Sequence, residues 1–211
     1  MYVPKFHEQS DLGALHALMR SHPLATWVTP GDGELIVNHL PFHVDESHGP
    51  YGLLRCHVAR ANSVWQLYSK TVPSIVVFNG PNTYVSPSWY PSRQAHGRVL
   101  PTWNYTVVHA HGIPTVVEEP ARLIEHLTAL TASQESTQAV PWRLTDAPAE
   151  FIEQMARNVV GIEIPISRIF GKWKVSQNRS ATDRDGVVAA LRGKNDEESA
   201  AIADLVEQVR N

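Results

Sequence analysis

The first apolar pattern in the chain has helical spacing and follows Ser10. Four apolar residues recur there at intervals that place them on one helix face: Leu12, Leu15, Leu18 and Met19. Ser10 is a good N-cap residue, and Pro23 cannot continue a helix. The pattern therefore predicts a helix between Ser10 and Pro23 that packs its apolar face on the core.

Between residues 25 and 109, short apolar runs replace the helical pattern. These runs alternate or are rich in β-branched residues, and they predict strands at residues 25–29, 34–44, 53–62, 74–79, 83–86 and 102–109. Gly31 and Gly33 lie between the first two runs and can adopt the positive φ of a tight hairpin. Gly112 and Pro114 predict a bend or bulge of the kind that barrels use at corners.

Helices interrupt the strands in the second half of the chain. Pro120 opens a helix, residues 131–138 form a polar loop, and Asp146 and Pro148 start a shorter helix. Strands with hairpin-scale connections favour antiparallel pairing over repeated βαβ units. The predicted fold class is therefore α+β, mainly β.

The C-terminal part predicts strand followed by helix. Residues 159–175 alternate well enough for one long strand or for two strands with a break near Gly171. From Thr182 onward the pattern predicts two helices that are separated near Gly193.

The charge balance argues against a surface that embraces duplex DNA. The 211 residues carry 18 Lys and Arg and 21 Asp and Glu, for a net charge of −3, whereas DNA-binding domains normally present a basic face. The tail helices could form a helix-turn-helix, but Arg210 is the one cation of the second helix. We expect the tail to pack on the fold or brace a dimer, without direct DNA contact.

Cysteine and hydropathy indicate the compartment. Cys56 is the single cysteine, which excludes an intrachain disulfide and a cysteine-based zinc cluster, and its apolar strand pattern predicts an inert core thiol. No apolar run approaches the roughly 20 residues of a membrane span, and the N-terminus lacks signal-peptide features. We expect a cytoplasmic protein without membrane contact.

Residues 77–105 combine five tryptophans and tyrosines with four prolines and a basic loop. The aromatic residues are Tyr84, Trp89, Tyr90, Trp103 and Tyr105, and the loop carries Arg93, His96 and Arg98. Flat apolar faces beside cations suit a planar, anionic ligand. Large aromatic residues also dominate cores and dimer interfaces, so the tryptophans have that second interpretation.

Six strings that span most of the chain carry a family resemblance. They are MYVPKF (1–6), NHLPF (38–42), LRCHVARAN (54–62), GPNTYVSPSWYPSRQ (80–94), VLPTWNYTVVHAHG (99–112) and KVSQNRS (174–180). Together they resemble the PaiB-type family, also called FMN-binding negative transcriptional regulators. The resemblance implies an antiparallel split β-barrel of the FMN-binding type with peripheral helices, which forms a homodimer with flavin in a cleft between subunits. Residues 1–180 would form this FMN-binding domain, and residues 181–211 a helical extension packed on the barrel or dimer.

The candidate FMN contacts lie within these strings. They are His39, Pro41, His57, Ala59, Arg60, Asn62, Ser86, Ser88, Trp89, Trp103, Asn104, Lys174 and Gln177. A flavin phosphate needs cations and fixed donors, and Arg60 is the expected partner, although it could also be a solvated cation at a strand end. Alternation places Arg60 and Asn62 on one side of the predicted strand and His57 and Ala59 on the other, so either the strand is bulged or part of the set binds.

The remaining candidates would surround the flavin. Trp89 and Trp103 would supply stacking faces, and Lys174 and Gln177 would close over a neighbouring subunit's flavin. Pro41 implies a strand edge or bulge that leaves backbone groups free to meet a ring system.

Eleven histidines raise the possibility of a metal site. His109 and His111 share one strand face, and a third ligand could come from His39 or His57. Because the chain has no His-Glu-x-x-His motif and no acidic pair at a clear ligand spacing, we expect no metal.

The resemblance to the PaiB-type family, together with the aromatic segment and the Arg60 strand, implies an FMN-binding negative transcriptional regulator whose redox chemistry, if any, belongs to the flavin. No catalytic residue is assigned, and we favour a non-enzymatic role. Three alternatives remain: a flavin-dependent oxidoreductase that acts on NAD(P)H or a pyridoxamine-like amine, a cofactor-free regulator, and a haem-binding protein on the same scaffold.

Overall fold

The computed structural model describes residues 1–209, which divide into two compact units. Unit 1 comprises Met1–Leu18, Asn79–Val108 and the described residues from Phe170 onward. Unit 2 comprises Met19–Phe78 and His109–Ile169. Arg210, the one cation that the sequence analysis placed in the last helix, lies outside the described residues.

Among the described residues, ten strands form two sheets. They are β1 (Glu8–Gln9), β2 (Leu24–Pro30), β3 (Leu35–Pro41), β4 (His43–Asp45), β5 (Leu53–Ala59), β6 (Ser74–Val85), β7 (Thr102–Gly112), β8 (Thr115–Val117), β9 (Val159–Pro165) and β10 (Arg168–Lys174). The order is β1-β10-β7-β6-β2-β3 in one sheet and β4-β5-β9-β8 in the other. The pairs β1/β10, β2/β3, β2/β6, β4/β5, β5/β9 and β8/β9 are antiparallel.

Seven α-helices are described between these strands and after them. They are α1 (Leu12–Ser21), α2 (Val64–Leu67), α3 (Ser92–His96), α4 (Pro120–Glu135), α5 (Ala149–Ala156), α6 (Ala181–Arg192) and α7 (Glu197–Gln208). Within residues 1–209, no helix is both long and apolar enough to cross a bilayer.

The predicted first helix is present, but its cap is not the predicted one. The N–H of Ala14 donates to Oδ1 of Asp11 at 2.7 Å, so Asp11 caps α1 instead of Ser10. The predicted hairpin is confirmed, because β2 and β3 pair from Leu24↔Pro41 to Pro30↔Leu35. Gly33, with φ of +84°, takes the left-handed conformation that the connection needs.

The prediction that the strand after Leu53 reaches Asn62 was wrong. β5 ends at Ala59, where the N–H of Asn62 turns back to the carbonyl of Ala59 at 2.8 Å. Arg60 and Asn62 therefore lie in a turn, and strand alternation does not decide which way they point.

Gly80, between two predicted strands, and Gly171, at a predicted break, both lie inside continuous strands. β6 runs through Gly80 without interruption, although the sequence predicted two separate strands there. A Cβ at Gly80 would lie 2.2 Å from Oγ1 of Thr106, so the glycine lets β6 lie close to this side chain of β7. Gly171 has the same role in β10, where a Cβ would lie 2.2 Å from Cδ2 of Leu15.

The break in residues 159–175 therefore falls elsewhere than predicted. It lies at Ile166 and Ser167, between β9 and β10, where the N–H of Ser167 donates to the carbonyl of His111 at 2.8 Å. The loop predicted from residue 131 starts later, because α4 continues to Glu135.

In unit 1, the two tail helices pack on the aromatic, proline-rich segment. Their buried residues Val187, Leu191, Ile202 and Val206 form one cluster with Tyr90 and others. A Cβ at Gly186 would lie 2.1 Å from the carbonyl oxygen of Trp89, so this glycine allows α6 to approach the backbone closely. The two tail helices and the gap between them at Gly193 are confirmed.

We expect Leu191→Ala to lower the free energy of unfolding by about 2–5 kcal/mol, because it leaves a cavity at a fully buried site. Urea titration measures the loss. Leu100→Ala is the matched control, since Leu100 belongs to the same unit and is 74% exposed, and we expect a change within about 0.5 kcal/mol. Equal losses for both variants would contradict the packing role of the tail.

Candidate functional site

An exposed aromatic surface in unit 1 is the first candidate site. We call Tyr84, Trp103, Tyr105, Lys172 and Lys174 the tryptophan cluster. Side chains alternate along β7, so that Trp103 is 53% exposed while Asn104 and Thr106 are buried. The ring of Tyr84 meets the indole of Trp103 edge to face at 6.1 Å between centroids. The cluster therefore presents an open aromatic face.

A groove of about 520 Å³ lies along this face. Trp103 and Tyr105 line it together with Asn79 and Asn82, whose side chains carry amide groups. Aromatic walls with amide groups between them match a planar ring system that carries hydrogen-bonding atoms at its edge. The groove thus fits the ring of a flavin in chemistry.

Lysine side chains add positive charge beside the groove. Nζ of Lys174 donates to the carbonyl oxygen of Trp103 at 2.6 Å and to Oγ1 of Thr102. Burial, followed by the positive charges of Lys172 and Arg179, lowers the pKa of Lys174. The ammonium of Lys172 lies 5.3 Å from the ring centre of Tyr105. An anion bound here would offset this mutual repulsion.

Asn104 and Gln177 make hydrogen bonds next to the tryptophan cluster. Nδ2 of Asn104, which is buried, donates to Oγ of Ser176 at 2.9 Å. Oε1 of Gln177 lies 2.9 Å from Nδ1 of His7 and accepts the N–H of Val175 at 2.8 Å. In this chain both side chains hold β7 and the end of β10 in place.

Ser86, Ser88 and Trp89 form a short turn in the same unit. Oγ of Ser86 accepts the N–H of Ser88 at 3.2 Å and so caps the 3-10 helix Pro87–Trp89. Trp89 is half-buried against the tail helices, and the ammonium of Lys194 lies 5.2 Å from its ring centre. Trp89 and Trp103 therefore have different surroundings, and of the two only Trp103 lines the groove.

Arg60 lies in unit 2 and is already engaged. Its guanidinium donates to the carbonyls of Arg157 and Val159 at 2.9 and 3.3 Å, and to the carboxylate of Glu118 at 2.8 Å. It also lies 5.8 Å from the ring centre of Trp65. These bonds use three of the five N–H donors of an arginine, so a phosphate would share Arg60 with Glu118.

A cavity of about 810 Å³ adjoins Arg60. Glu118 and Arg157 line it together with residues of α4 and α5, and we call it the α4–α5 cavity. The sequence analysis did not identify Glu118 and Arg157. They lie 58 and 97 residues from Arg60 in the chain, so no local pattern indicates that they contact it.

The other candidates of unit 2 make local contacts. Nδ2 of Asn62 donates to Oδ1 of Asn38 at 2.8 Å, and Nδ1 of His39 lies 3.1 Å from Oγ1 of Thr26 across the β2/β3 pair. Ala59 is exposed at the end of β5, and Pro41 ends β3.

Comparison with known proteins shows the family. The model of the family described as "Putative FMN-binding domain" matches residues 1–168. This chain belongs to that family.

The relatives of this FMN-binding-domain protein agree with that assignment. It is 29% identical to protease synthase and sporulation protein PAI 2 of Bacillus subtilis, over 98% of this chain and 97% of the relative. The resemblance to the PaiB-type family is thereby confirmed.

Solved structures show the same fold. Conserved hypothetical protein Rv2991 of Mycobacterium tuberculosis superimposes with a TM-score of 0.60 at 13% identity, over 85% of this chain and 94% of that one. The flavocytochrome Anf3 of Azotobacter vinelandii gives 0.58 at 14% identity, over 82% and 72%. The fold is the predicted one, a mainly β, antiparallel split β-barrel with helices.

The family match ends before Lys174 and Gln177, so these two residues belong to the part of this FMN-binding-domain protein that the family model does not cover.

The described residues contain no group of three or more His, Cys, Asp or Glu side chains placed to hold a metal ion. Cys56 is buried, and burial raises the pKa of its thiol, as expected for an inert core cysteine.

His57 faces α4 and pairs with a second histidine. Its Nδ1 lies 3.1 Å from Nε2 of His126, and the two rings meet edge to face. Burial, followed by the charges that His57 and His43 carry when protonated and by the charge of Arg55, lowers the pKa of His126 to about 3. Burial also lowers the pKa of His57. Both imidazoles are therefore neutral at pH 7, and His57 is tied into unit 2 through α4.

This pair predicts a loss of stability in acid. An unfolded histidine, with a pKa near 6.5, takes up a proton as the pH falls, whereas folded His126 does not until about pH 3. The stabilisation is thus complete above pH 6.5 and is lost as the pH falls towards 3. When the pH is lowered from 7 to 5, the free energy of unfolding should fall for both proteins. We expect this fall to be about 2 kcal/mol smaller for His126→Gln than for the unaltered chain.

Urea titrations at the two pH values measure that difference. His48→Gln, at an exposed position, is the control that should leave the pH dependence unchanged. A His126→Gln protein with the pH dependence of the unaltered chain would contradict the assignment of a neutral, buried His126.

Proposed function

We propose that this protein binds FMN and acts as a PaiB-type negative transcriptional regulator, as a cytoplasmic homodimer with the flavin in a cleft between subunits. The observation that carries the proposal is the groove of the tryptophan cluster, which Trp103 and Tyr105 line together with two asparagines, and beside which Lys174 contacts Trp103 and Lys172 contacts Tyr105. The family match covers this groove.

Each part of FMN has a counterpart among these side chains. The exposed indole of Trp103 offers a stacking face, and the amides of Asn79 and Asn82 offer donors and acceptors to the polar edge of the ring. Lys174 and Lys172 supply charge for the phosphate, whose two negative charges are costly to bury unpaired. When bound, the flavin would supply any redox chemistry, and the chain would bind and orient it.

Arg60 of unit 2 remains a proposed ligand for a flavin phosphate. The side chains of Arg60 and Glu118 are 40% and 54% exposed in their ion pair, and such pairs contribute little, about 0–1 kcal/mol. A phosphate could therefore replace Glu118 at modest cost.

Dimer formation would explain the exposure of the aromatic face. In the single chain, Trp103 and Tyr84 are 53% and 43% exposed and adjacent. Buried aromatic residues of this kind are typical centres of protein interfaces. The acidic net charge of −3 favours regulation through a partner or signal over direct DNA contact.

We expect Trp103→Leu and Lys174→Met each to weaken FMN binding about 10-fold, through loss of stacking and of a charge-assisted contact. Quenching of flavin fluorescence in a titration measures the affinity. Riboflavin, which lacks the phosphate, separates the two roles: Trp103→Leu should weaken both ligands, whereas Lys174→Met should weaken FMN alone.

Trp142→Leu is the control for the first variant, because Trp142 is similarly exposed but lies outside the groove. The absence of saturable FMN binding by the unaltered chain would sink the proposal. Equal effects of Trp142→Leu and Trp103→Leu would show that the groove is not the site.

The dimer has its own test. Light scattering should give twice the mass of one chain, and Trp103→Glu should shift the protein towards the monomer, because a buried carboxylate without a partner opposes association. Trp142→Glu serves as the control. A monomeric unaltered chain at micromolar concentration would refute the dimer.

A further inference from the structure

We propose that the α4–α5 cavity is a second ligand site, which binds a small amphipathic carboxylate with an alkyl chain. The cavity measures about 810 Å³, within the range of roughly 300–1,000 Å³ that is usual for small-molecule sites. It lies wholly within unit 2. No part of the proposed flavin function uses it apart from Arg60.

The walls of the cavity are aliphatic. Ala121, Leu123 and Ile124 of α4 face it, and Ala156 of α5 closes it. None of the described lining residues is aromatic, so the cavity offers no stacking face for a planar ring. An alkyl chain matches such walls, because it gains by leaving water and needs no hydrogen bonds.

The rim contains two arginines with unequal partners. Arg60 donates to Glu118 at 2.8 Å and to two carbonyls, so it is firmly held. Arg157 approaches Glu153 only to 4.0 Å, and the two side chains are 78% and 67% exposed. A pair of this kind adds little stability. Arg157 is therefore the charged group that a ligand can recruit most easily.

A carboxylate is the ligand group that suits Arg157. Guanidinium and carboxylate form parallel, charge-assisted hydrogen bonds that fix orientation as well as affinity. Glu118 and Glu153 make the rim neutral overall, which favours a ligand with one charge over a polyanion. The cavity thus selects one carboxylate on an aliphatic body.

The test uses decanoate on the full chain, with binding followed by calorimetry at concentrations well below micelle formation. We expect saturable binding with a dissociation constant below about 1 mM. Decanol and decyltrimethylammonium, which share the alkyl chain but lack the carboxylate, should bind at least about 10-fold more weakly.

Two variants address the two halves of the site. Arg157→Gln should weaken decanoate about 10-fold through loss of the charge-assisted contact, and Ala121→Phe should abolish binding by filling the cavity from an exposed helix position. Arg143→Gln is the matched control: its side chain is 77% exposed and does not line the cavity, and we expect no effect.

Saturating riboflavin, which lacks the phosphate that Arg60 is proposed to bind, distinguishes this site from the site of the flavin ring. Decanoate affinity that is unchanged by riboflavin supports the proposal, and displacement by riboflavin overturns it by making the cavity part of the flavin site. Three further results would also overturn it: no saturable decanoate binding, equal affinity for decanol, or equal effects of Arg157→Gln and Arg143→Gln. Failure of FMN binding alone would contradict the flavin proposal and leave this one standing.

Discussion

The two-residue alternation along β7 is the constraint on which the candidate flavin surface depends. Because successive strand residues point to opposite faces, Trp103 and Tyr105 line the open groove, while Asn104 between them is buried. The bond between Asn104 and Ser176 holds β7 against the chain that follows β10. An exposed indole is thereby carried on a rigid support, which limits the entropy that a stacked ligand would have to remove.

The cations beside the two candidate sites differ in how their charge is compensated. Lys174 bonds to uncharged oxygens of Thr102 and Trp103, and burial, followed by the charges of Lys172 and Arg179, lowers its pKa. Arg60, in contrast, has Glu118 as its counter-ion. An anion would gain more from the first environment than from the second, because it would relieve repulsion there and would compete with a carboxylate at Arg60.

In unit 2, side chains that could act as ligands or catalysts are paired with other residues of the fold. His57 occupies a family-like string, yet its imidazole is paired with His126 of α4. Arg55 contacts Asp45, Glu125 and Glu163 from β4, α4 and β9, so that it joins these elements by charge. The side chains of β5 thus connect a sheet to a helix, and the more weakly paired Arg157 lies at the rim of the α4–α5 cavity.

The sequence by itself determined the family, the helices and strands with strong periodicity, and the importance of the segment that contains Trp103. Local spacing and long irregular motifs carry that information, since they depend on neighbouring residues. Tertiary structure decided the rest. Gly80 lies between two predicted strands and Gly171 at a predicted break, but both lie inside continuous strands, where the missing side chain leaves room for Thr106 and Leu15. The partners of Arg60 and His57 lie far away in the chain. Contacts between distant residues arise from packing, and no local pattern in a single sequence specifies them.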